Sequence, residues 1–396
     1  MDKKTVAILD AARCTGCYAC TNTCPVDAIS MQSDVEGFPQ PIVDQGKCIN
    51  CGKCVMSCPV LTPANNIVPE LQEVYAAWSL DETIRYESTS GGVFSELALG
   101  LIAKGGVLCG AQYGEGHRVE HVIITSQKGL DRIRQSKYAQ SDVGNCYRQI
   151  RNLLNQGRKV LFCGAPCQCA GLMSFLGGKP HGLFIANFVC RGTNSPKAYT
   201  AYLKWLETRY GAHISRVWFK NKVLGWNRFS TRVEFEDGQV YSEDRYHDLF
   251  IRGYIEQNLY MRKCCHTCEF RDLERTGDIT LADFWGVRLD DKTKDTDKGT
   301  SLVVINTEYG RELFDFIKPH LFWERKSIEE VFPGNACITN SPKPNPRRSY
   351  FLSHLDERPF DELCAECFTK PPIVKRVLYT AKGRMGAALR ALGIRR

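Results

Sequence analysis

Two stretches, CTGCYACTNTCP and CINCGKCVMSCP, repeat one spacing, C-x2-C-x2-C-x3-C-P. They supply Cys14, Cys17, Cys20 and Cys24, then Cys48, Cys51, Cys54 and Cys58, closed by Pro25 and Pro59. Two-residue spacers let three thiolates converge on one face, and the fourth cysteine of each run reaches across to the other metal site. The expected tetrads are therefore Cys14, Cys17, Cys20 and Cys58, and Cys48, Cys51, Cys54 and Cys24. Zinc sites need four ligands, usually in two pairs, and have no use for interlocked tetrads. The two related halves are too small to hold a core without metal, so metal binding and folding are one event here.

The chain has 396 residues, twenty of them cysteine. Its length allows two or three domains and a well-buried core. MDKKTVAILDAARC has neither the apolar core nor the cleavage site of a signal peptide. The longest apolar stretches, such as GLFIANFVC, are too short to span a bilayer. In a reducing cytosol, this many cysteines point to metal or redox chemistry. The net charge of +8 (52 basic less 44 acidic residues) is concentrated at the end. From Pro371 to Arg396 there are seven Lys/Arg and no Asp/Glu, which leaves the rest at +1. The body thus carries no basic patch of the kind that grips nucleic acid.

The repeated run is that of bacterial ferredoxins with two [4Fe–4S] clusters, a wire for single electrons. Residues 1–68 are expected to form this domain. The fold class expected overall is α+β followed by α/β. In YESTSGGVFSELALGLIAKGG, Ser88, Thr89 and Ser90 are N-cap types, and Gly91 and Gly92 allow close backbone approach before a helix closed by Gly105-Gly106. Such a helix start suits a phosphate, and equally suits an ordinary capped helix. VLCGAQYG and VEHVIITS alternate like strands. DVGNCYRQIRNLLNQG has helical spacing, KVLFCGAPCQCAGL reads strand–turn–helix, and GLFIANFVC reads as a buried strand. Strands alternating with helices predict an α/β sheet. No G-x-G-x-x-G is present, so no Rossmann unit is inferred. RVEFEDGQVYSE is a hairpin turning at Asp237-Gly238.

TSGGVFS, SKYAQSD, VLFCGAPCQCAGL, FVCRGTNSP, FKNKVLGW, CCHTCEFRDLERTGDITLADFWG and SLVVINTEYG together resemble the coenzyme F420 hydrogenase/dehydrogenase beta-subunit family over residues 75–350. The closest likeness is to its bacterial branch, often encoded near surface-polysaccharide genes; many such bacteria are not thought to make coenzyme F420. The resemblance implies an iron–sulfur flavoprotein of that beta-subunit fold, binding FAD or FMN. It divides the chain into 69–190 and 191–350 as two parts of one flavin region, with 351–396 as a tail. It offers Ser90, Gly91, Gly92, Lys137, Tyr138, Gln140, Ser141 and Asp283 for the flavin. It also implies a third [4Fe–4S] cluster on Cys167, Cys190, Cys265 and Cys268. Cys167 and Cys190 follow strands, which fits the carboxyl edge of an α/β sheet, where such folds place ligands. Cys264 reads as a bystander. A competing pairing joins Cys265 and Cys268 to Cys364 and Cys367 as a zinc site. Cys109, Cys146, Cys163, Cys169 and Cys337 read as plain core or surface residues. Where the family has Cys-His-Gly, this chain has Cys190-Arg191-Gly192, which removes the basis for a proton-transfer histidine there.

Lys220, Lys222, Trp226 and Arg228 are candidates for an anionic substrate or cofactor tail, against a solvated strand end. DKTKDTDKGTS reads as a mobile loop. SPKPNPRRSYF, with three prolines, excludes a regular helix, and its Arg347 and Arg348 are candidates for the active site. The expected function is a flavin-dependent iron–sulfur oxidoreductase acting on an organic small molecule, a sugar derivative of polysaccharide synthesis among the candidates. The alternatives are a coenzyme F420:ferredoxin oxidoreductase and an electron-transfer subunit of a larger complex. A ferredoxin is the expected redox partner, and the expected location is the cytoplasm. In the tail, Val374, Val377, Leu378, Ala381, Met385, Ala388, Leu389 and Leu392 form an apolar stripe flanked by Lys375, Arg376, Lys382, Arg384 and Arg390. Such a helix lies on an anionic inner-membrane face, or docks on this protein's body or a second copy.

Overall fold

The computed structural model describes residues 5–63, 71–272, 277–294 and 296–369; the basic stripe lies outside them. Two short helices, Ala19–Thr23 and Lys53–Met56, carry the middle cysteines of the two runs. An antiparallel hairpin, β1 (Ile29–Ser33) and β2 (Pro39–Val43), joins them, in the register Ile29↔Val43.

The next strands are β3 (Glu73–Ser79), β4 (Val107–Tyr113), β5 (Val119–Ile124), β6 (Val160–Gly164) and β7 (Leu183–Phe188). A separate antiparallel sheet follows, of β8 (Ile214–Asn221), β9 (Ser230–Phe235) and β10 (Val240–Asp244). Then come β11 (Ile279–Asp283), β12 (Ser301–Ile305) and β13 (Leu321–Lys326). Eight of these strands make one sheet in the order β13-β3-β12-β11-β7-β6-β4-β5. Its centre, β11-β7-β6-β4, is parallel, and both flanks are antiparallel. Since β3 lies between β12 and β13, residues 69–190 and 191–350 interleave in a single sheet.

The inner strands read as unbroken apolar runs because both faces are covered. β12 is buried at every position, whereas the edge strand β13 alternates. Period two sends Leu108 and Leu161 to one face, against Val93, Leu97 and Leu101 of the helix Val93–Ala103. It sends Val107, Val160 and Phe162 to the other, against Tyr147, Ile150 and Leu172. Cys17, Tyr18 and Ala19 belong to that second cluster, so the N-terminal module shares the body's core.

The smaller sheet packs with the helices Pro196–Tyr210 and Leu249–Ile255. Its β9-β10 turn falls at Asp237-Gly238, as the hairpin signal requires, with Gly238 at φ 86. Two further helices, Arg348–Ser353 and Phe360–Cys367, bury Phe351, Leu352, Phe360 and Leu363 in the same core. Residues 351–369 are therefore part of the body. The prolines of SPKPNPRRSYF end before the helix begins at Arg348, which is why a helix follows them without a break. Among the described residues no helix is long and apolar enough to cross a membrane.

Candidate redox site

Three arginines of the body reach into the module. Arg262, 2% exposed, donates to Cys14 O at 2.6 Å, Gln140 Oε1 at 2.9 Å and Pro39 O at 2.9 Å. Arg148 donates to the carbonyls of Asn22, Thr21 and Cys24 and to Asp27 Oδ1. Arg348 makes a two-pronged contact with Glu36, at 2.8 and 2.7 Å, and also donates to Met261 O. Burial pushes the Glu36 carboxyl up, but Arg348 and Lys263 outweigh it and hold it below the usual carboxylate range. Arg348 is thus a latch between module and body, and Arg347 pairs with Glu366.

Within the module, Cys24, Cys48, Cys51 and Cys54 line one cavity of about 340 Å³, counted with its open mouth. Backbone N–H groups of Val6 and Ala28 donate to Cys54 and Cys24 sulfur at 3.3 and 3.2 Å. Cys14, Cys17 and Cys20 lie close enough to Cys58 that each thiol feels its charge. Burial comes first among the causes and pushes Cys17 up to about 12. The grouping matches the crossed tetrads.

A larger cavity, about 660 Å³ with its mouth, lies at the carboxyl edge of the sheet. Cys167, Cys190, Cys265 and Cys268 line it together with Cys264. Cys167 follows β6 at the second position of the helix Pro166–Leu176, whose positive N-terminal end favours a thiolate. Cys190 follows β7. Gly192 sits at φ 139; a Cβ there would stand 3.0 Å from Cys265 Cβ, so only glycine lets the chain pass this close. Thr193 N donates to Cys265 sulfur at 3.4 Å. Arg13 and Arg271 also line the cavity. Burial pushes Cys190 up to about 12, with Arg271 pulling the other way. Thiols from three segments, an N–H···S contact, a helix N-terminus and two guanidinium groups, that of Arg13 paired with Glu269, suit an anionic cluster held by four thiolates, and the residues fit it.

The zinc pairing does not form. Cys364 and Cys367 are 0% and 1% exposed in the aromatic core with Tyr202 and Phe250. Among the described residues no group of three or more His, Cys, Asp or Glu could hold a single metal ion. Arg191 donates to Ile255 O at 2.7 Å and Asn258 Oδ1 at 2.8 Å, so its guanidinium braces backbone.

The residues expected around a flavin divide into two groups. Ser90 Oγ donates to Thr300 O, Gly91 N donates to Ser301 Oγ, and Asp283 ends β11 beside Ser301. All lie on the same sheet edge as Cys190. Asp283 accepts from Lys220 and, at 2.8 Å, from Trp226 Nε1. Trp226 stacks on Trp285 with centroids 4.3 Å apart, and Lys220 lies over Trp285 at 4.9 Å. Lys222 donates to the carbonyls of Arg85, Ser90 and Lys298, tying the helix Glu82–Glu87 to two loops. Burial pulls its ammonium down to about 7. Asn227 N donates to Asp297 Oδ1 at 2.8 Å, so the 291–301 loop, expected to be mobile, is pinned at Asp297 and Lys298. A Cβ on Gly91 would clash with Ala77 O and stand 2.9 Å from Ser301 N, and Gly92, at φ 91, faces Ile84. Packing against β3 by itself requires this glycine pair.

SKYAQSD is shared between two sites. Tyr138 packs on Tyr254 at 5.4 Å, and Tyr254 donates to Gly192 O at 3.1 Å, beside the large cavity. Burial also pulls Lys137 down to about 7. Gln140 turns the other way, donating to Thr15 O at 3.0 Å and Gly16 O at 3.2 Å. Ser141 accepts from Gln168 at 2.9 Å. These two residues hold the module and the Cys167 helix. Arg13, Arg271 and Tyr254 were missed by sequence reading, and no local signal marks them. Gly192, directly after a Cys-Arg pair, was a usable signal for close approach.

Comparison with known proteins places these sites in context. A model of the coenzyme F420 hydrogenase/dehydrogenase beta-subunit N-terminal region matches residues 74–146, and one of its C terminus matches 157–331. Together these exceed half of the chain. A 4Fe-4S dicluster domain matches residues 13–61. Among solved structures, the chain is similar to one in the xenon-derivatised F420-reducing [NiFe] hydrogenase complex from Methanosarcina barkeri. The identity is 19% and the TM-score 0.47, over 74% of this chain and 91% of that one. No curated protein matches the sequence.

Proposed function

Since the chain belongs to the coenzyme F420 hydrogenase/dehydrogenase beta-subunit family, with a 4Fe-4S dicluster domain at its N-terminal end, we propose that it is a three-cluster flavin oxidoreductase. In this reading Cys14, Cys17, Cys20 and Cys58 hold one cluster, Cys24, Cys48, Cys51 and Cys54 a second, and Cys167, Cys190, Cys265 and Cys268 a third. Ser90, Gly91, Lys137, Tyr138, Lys220 and Asp283 form the rim of the flavin site. Residues 69–350 act as one unit. When bound, the clusters supply single-electron transfer and the flavin converts it to two-electron chemistry on an organic substrate.

One observation carries the reading. The helix that presents Cys167 rests on the first tetrad: a Cβ on Gly171 would stand 3.0 Å from Cys17 sulfur. The body's own side chains then define a continuous course. Gly171 lies four residues after Cys167 on the same face of that helix, and Cys17, packed on Gly171, is close enough for the Cys167 thiol to feel its charge. Tyr254 and Tyr138 fill the space from Gly192 to the Lys220–Asp283 pair. Lys220, paired with Asp283, and Lys222, tied to three carbonyls, fix the rim where a cofactor tail or substrate would lie. Phe162, Tyr147 and Leu172 exclude water beneath the first tetrad.

The expected metal content is about twelve iron per chain, by four per cluster. Anaerobic iron and sulfide assays check it, together with flavin released on denaturation. Cys167→Ser should lose about four iron and Cys364→Ser none. A chain with full flavin and only the iron of two clusters would remove the third. A small organic molecule is the proposed substrate, with a sugar derivative of polysaccharide synthesis first and coenzyme F420 second. Mixing with reduced F420 and following its absorbance separates them.

A further inference from the structure

The two tetrads of the module differ in their surroundings. Among the described residues, every one lining the cavity of Cys24, Cys48, Cys51 and Cys54 comes from the first 54 positions, and the body's Arg148 meets this tetrad at the Cys24 carbonyl. Cys51 is exposed and Cys48 half-buried. The surrounding surface is apolar. Ile49 and Val26 line the cavity and are 61% and 38% exposed; Met56, on the helix that begins at Lys53, is 70% exposed. Lys47 and Lys53 are exposed on either side of Cys51. From Gln45 to Pro63 the chain has these two lysines and no carboxylate. Nearby, Asp44 lies 3.7 Å from Lys47, and Asp27 is taken up by Arg148.

We infer that this face docks a small acidic protein that carries one electron at a time. The inference rests on the reading that the second tetrad holds a cluster, and it names the partner of that site. Protein interfaces have an apolar centre and a polar rim, and opposite potentials steer encounter. Here the centre is Ile49, Val26 and Met56, and the rim is Lys47 and Lys53. A carboxylate-rimmed carrier complements it; a basic carrier is repelled. Docking brings the carrier's redox group over Cys51, the most exposed thiol of the module. The transfer moves one electron and breaks no bond: the carrier is oxidised by one and the site behind Cys51 reduced by one, with the reverse flow using the same contact.

The test uses the anaerobically purified full chain and, as probe, an acidic plant-type [2Fe–2S] ferredoxin. Binding is measured by titration at low and high salt, beside an iron assay of every sample. The parent chain should bind, more weakly as salt rises. Lys47→Glu with Lys53→Glu should weaken binding by about tenfold or more, while Lys128→Glu, exposed on the body, should not. Ile49→Ser should weaken binding without changing its salt dependence. Equal binding by the double variant at full iron content overturns the docking face and leaves the cluster reading standing. A parent chain lacking the iron of one module cluster overturns the cluster reading instead, and the proposal with it.

Discussion

Cys17 and Cys51 hold the same place in two copies of one motif, the second cysteine of each run. Cys17 is 9% exposed beneath the helix Pro166–Leu176, and Cys51 lies open to solvent. Nothing in the spacing distinguishes them. The asymmetry comes from the body: Gly171 covers Cys17 and Arg262 and Gln140 hold the backbone of Cys14 to Gly16, whereas the cavity of the second tetrad is lined, among the described residues, by none from beyond position 54, and Arg148 meets that tetrad at the Cys24 carbonyl. Spacing therefore sets which thiols share a metal, whereas docking on the body decides which site faces inward. A symmetric repeat becomes a directional element because the body packs on the Cys17 thiol and leaves the Cys51 thiol open to solvent.

The largest expected effect comes from breaking that asymmetry at the cysteines themselves. Cys51→Ser and Cys17→Ser should each lose about four iron. Cys17→Ser should also loosen the module from the body, because the same side chain packs in the core with Tyr147, Phe162 and Leu172. Limited proteolysis should then release the N-terminal module of Cys17→Ser early and that of Cys51→Ser late. Equal release would show that the two tetrads are equivalent after all. Next in size is Arg262→Met. It removes three hydrogen bonds from a buried guanidinium, each typically worth about 1.5–3 kcal/mol and not additive, so a loss on the order of 3 kcal/mol is expected. Arg148→Met, whose side chain is 32% exposed, should cost about 1 kcal/mol. Thermal melts of the two variants check the order.

The difference between the regions also explains what was legible in the sequence. Ferredoxin spacing is local, so eight ligands and their crossed pairing could be read without a fold. The parallel strands were legible because β6 and β7 are continuous apolar runs. The third tetrad needed the family resemblance, since Cys167, Cys190, Cys265 and Cys268 are brought together by topology. Interleaving β3 between β12 and β13 joins strands more than two hundred residues apart, and no local pattern encodes that. Arg262 and Arg148 were invisible for a similar reason, and Arg348 was singled out for the active site and not as a latch. An arginine that caps carbonyls in another module has no spacing signature. Gly91 carries a different lesson: its sequence context suits a phosphate, while the structure shows that packing on Ala77 and Ser301 already demands glycine.

An effect of similar size tests the remaining latch, Glu36 with Arg348. Burial raises the Glu36 pKa, and the guanidinium lowers it further than burial lifts it, so the folded value lies below the ordinary 4.5. A group with a depressed folded pKa stabilises the fold above its unfolded pKa and loses that contribution as pH falls through the folded value. At neutral pH the contact is therefore fully present. Glu36→Gln lacks the charge at every pH and should melt lower, by about 1–2 kcal/mol of stability. The gap between parent and variant should stay constant from pH 7 down to about 5 and close as pH falls below about 4.5. Acid loss of metal acts on both chains, so the gap between their melting temperatures is the readout. A gap that persists unchanged into acid would mean that Glu36 holds Arg348 by shape and not by charge. The module would then be latched mainly through Arg262, at the inward tetrad.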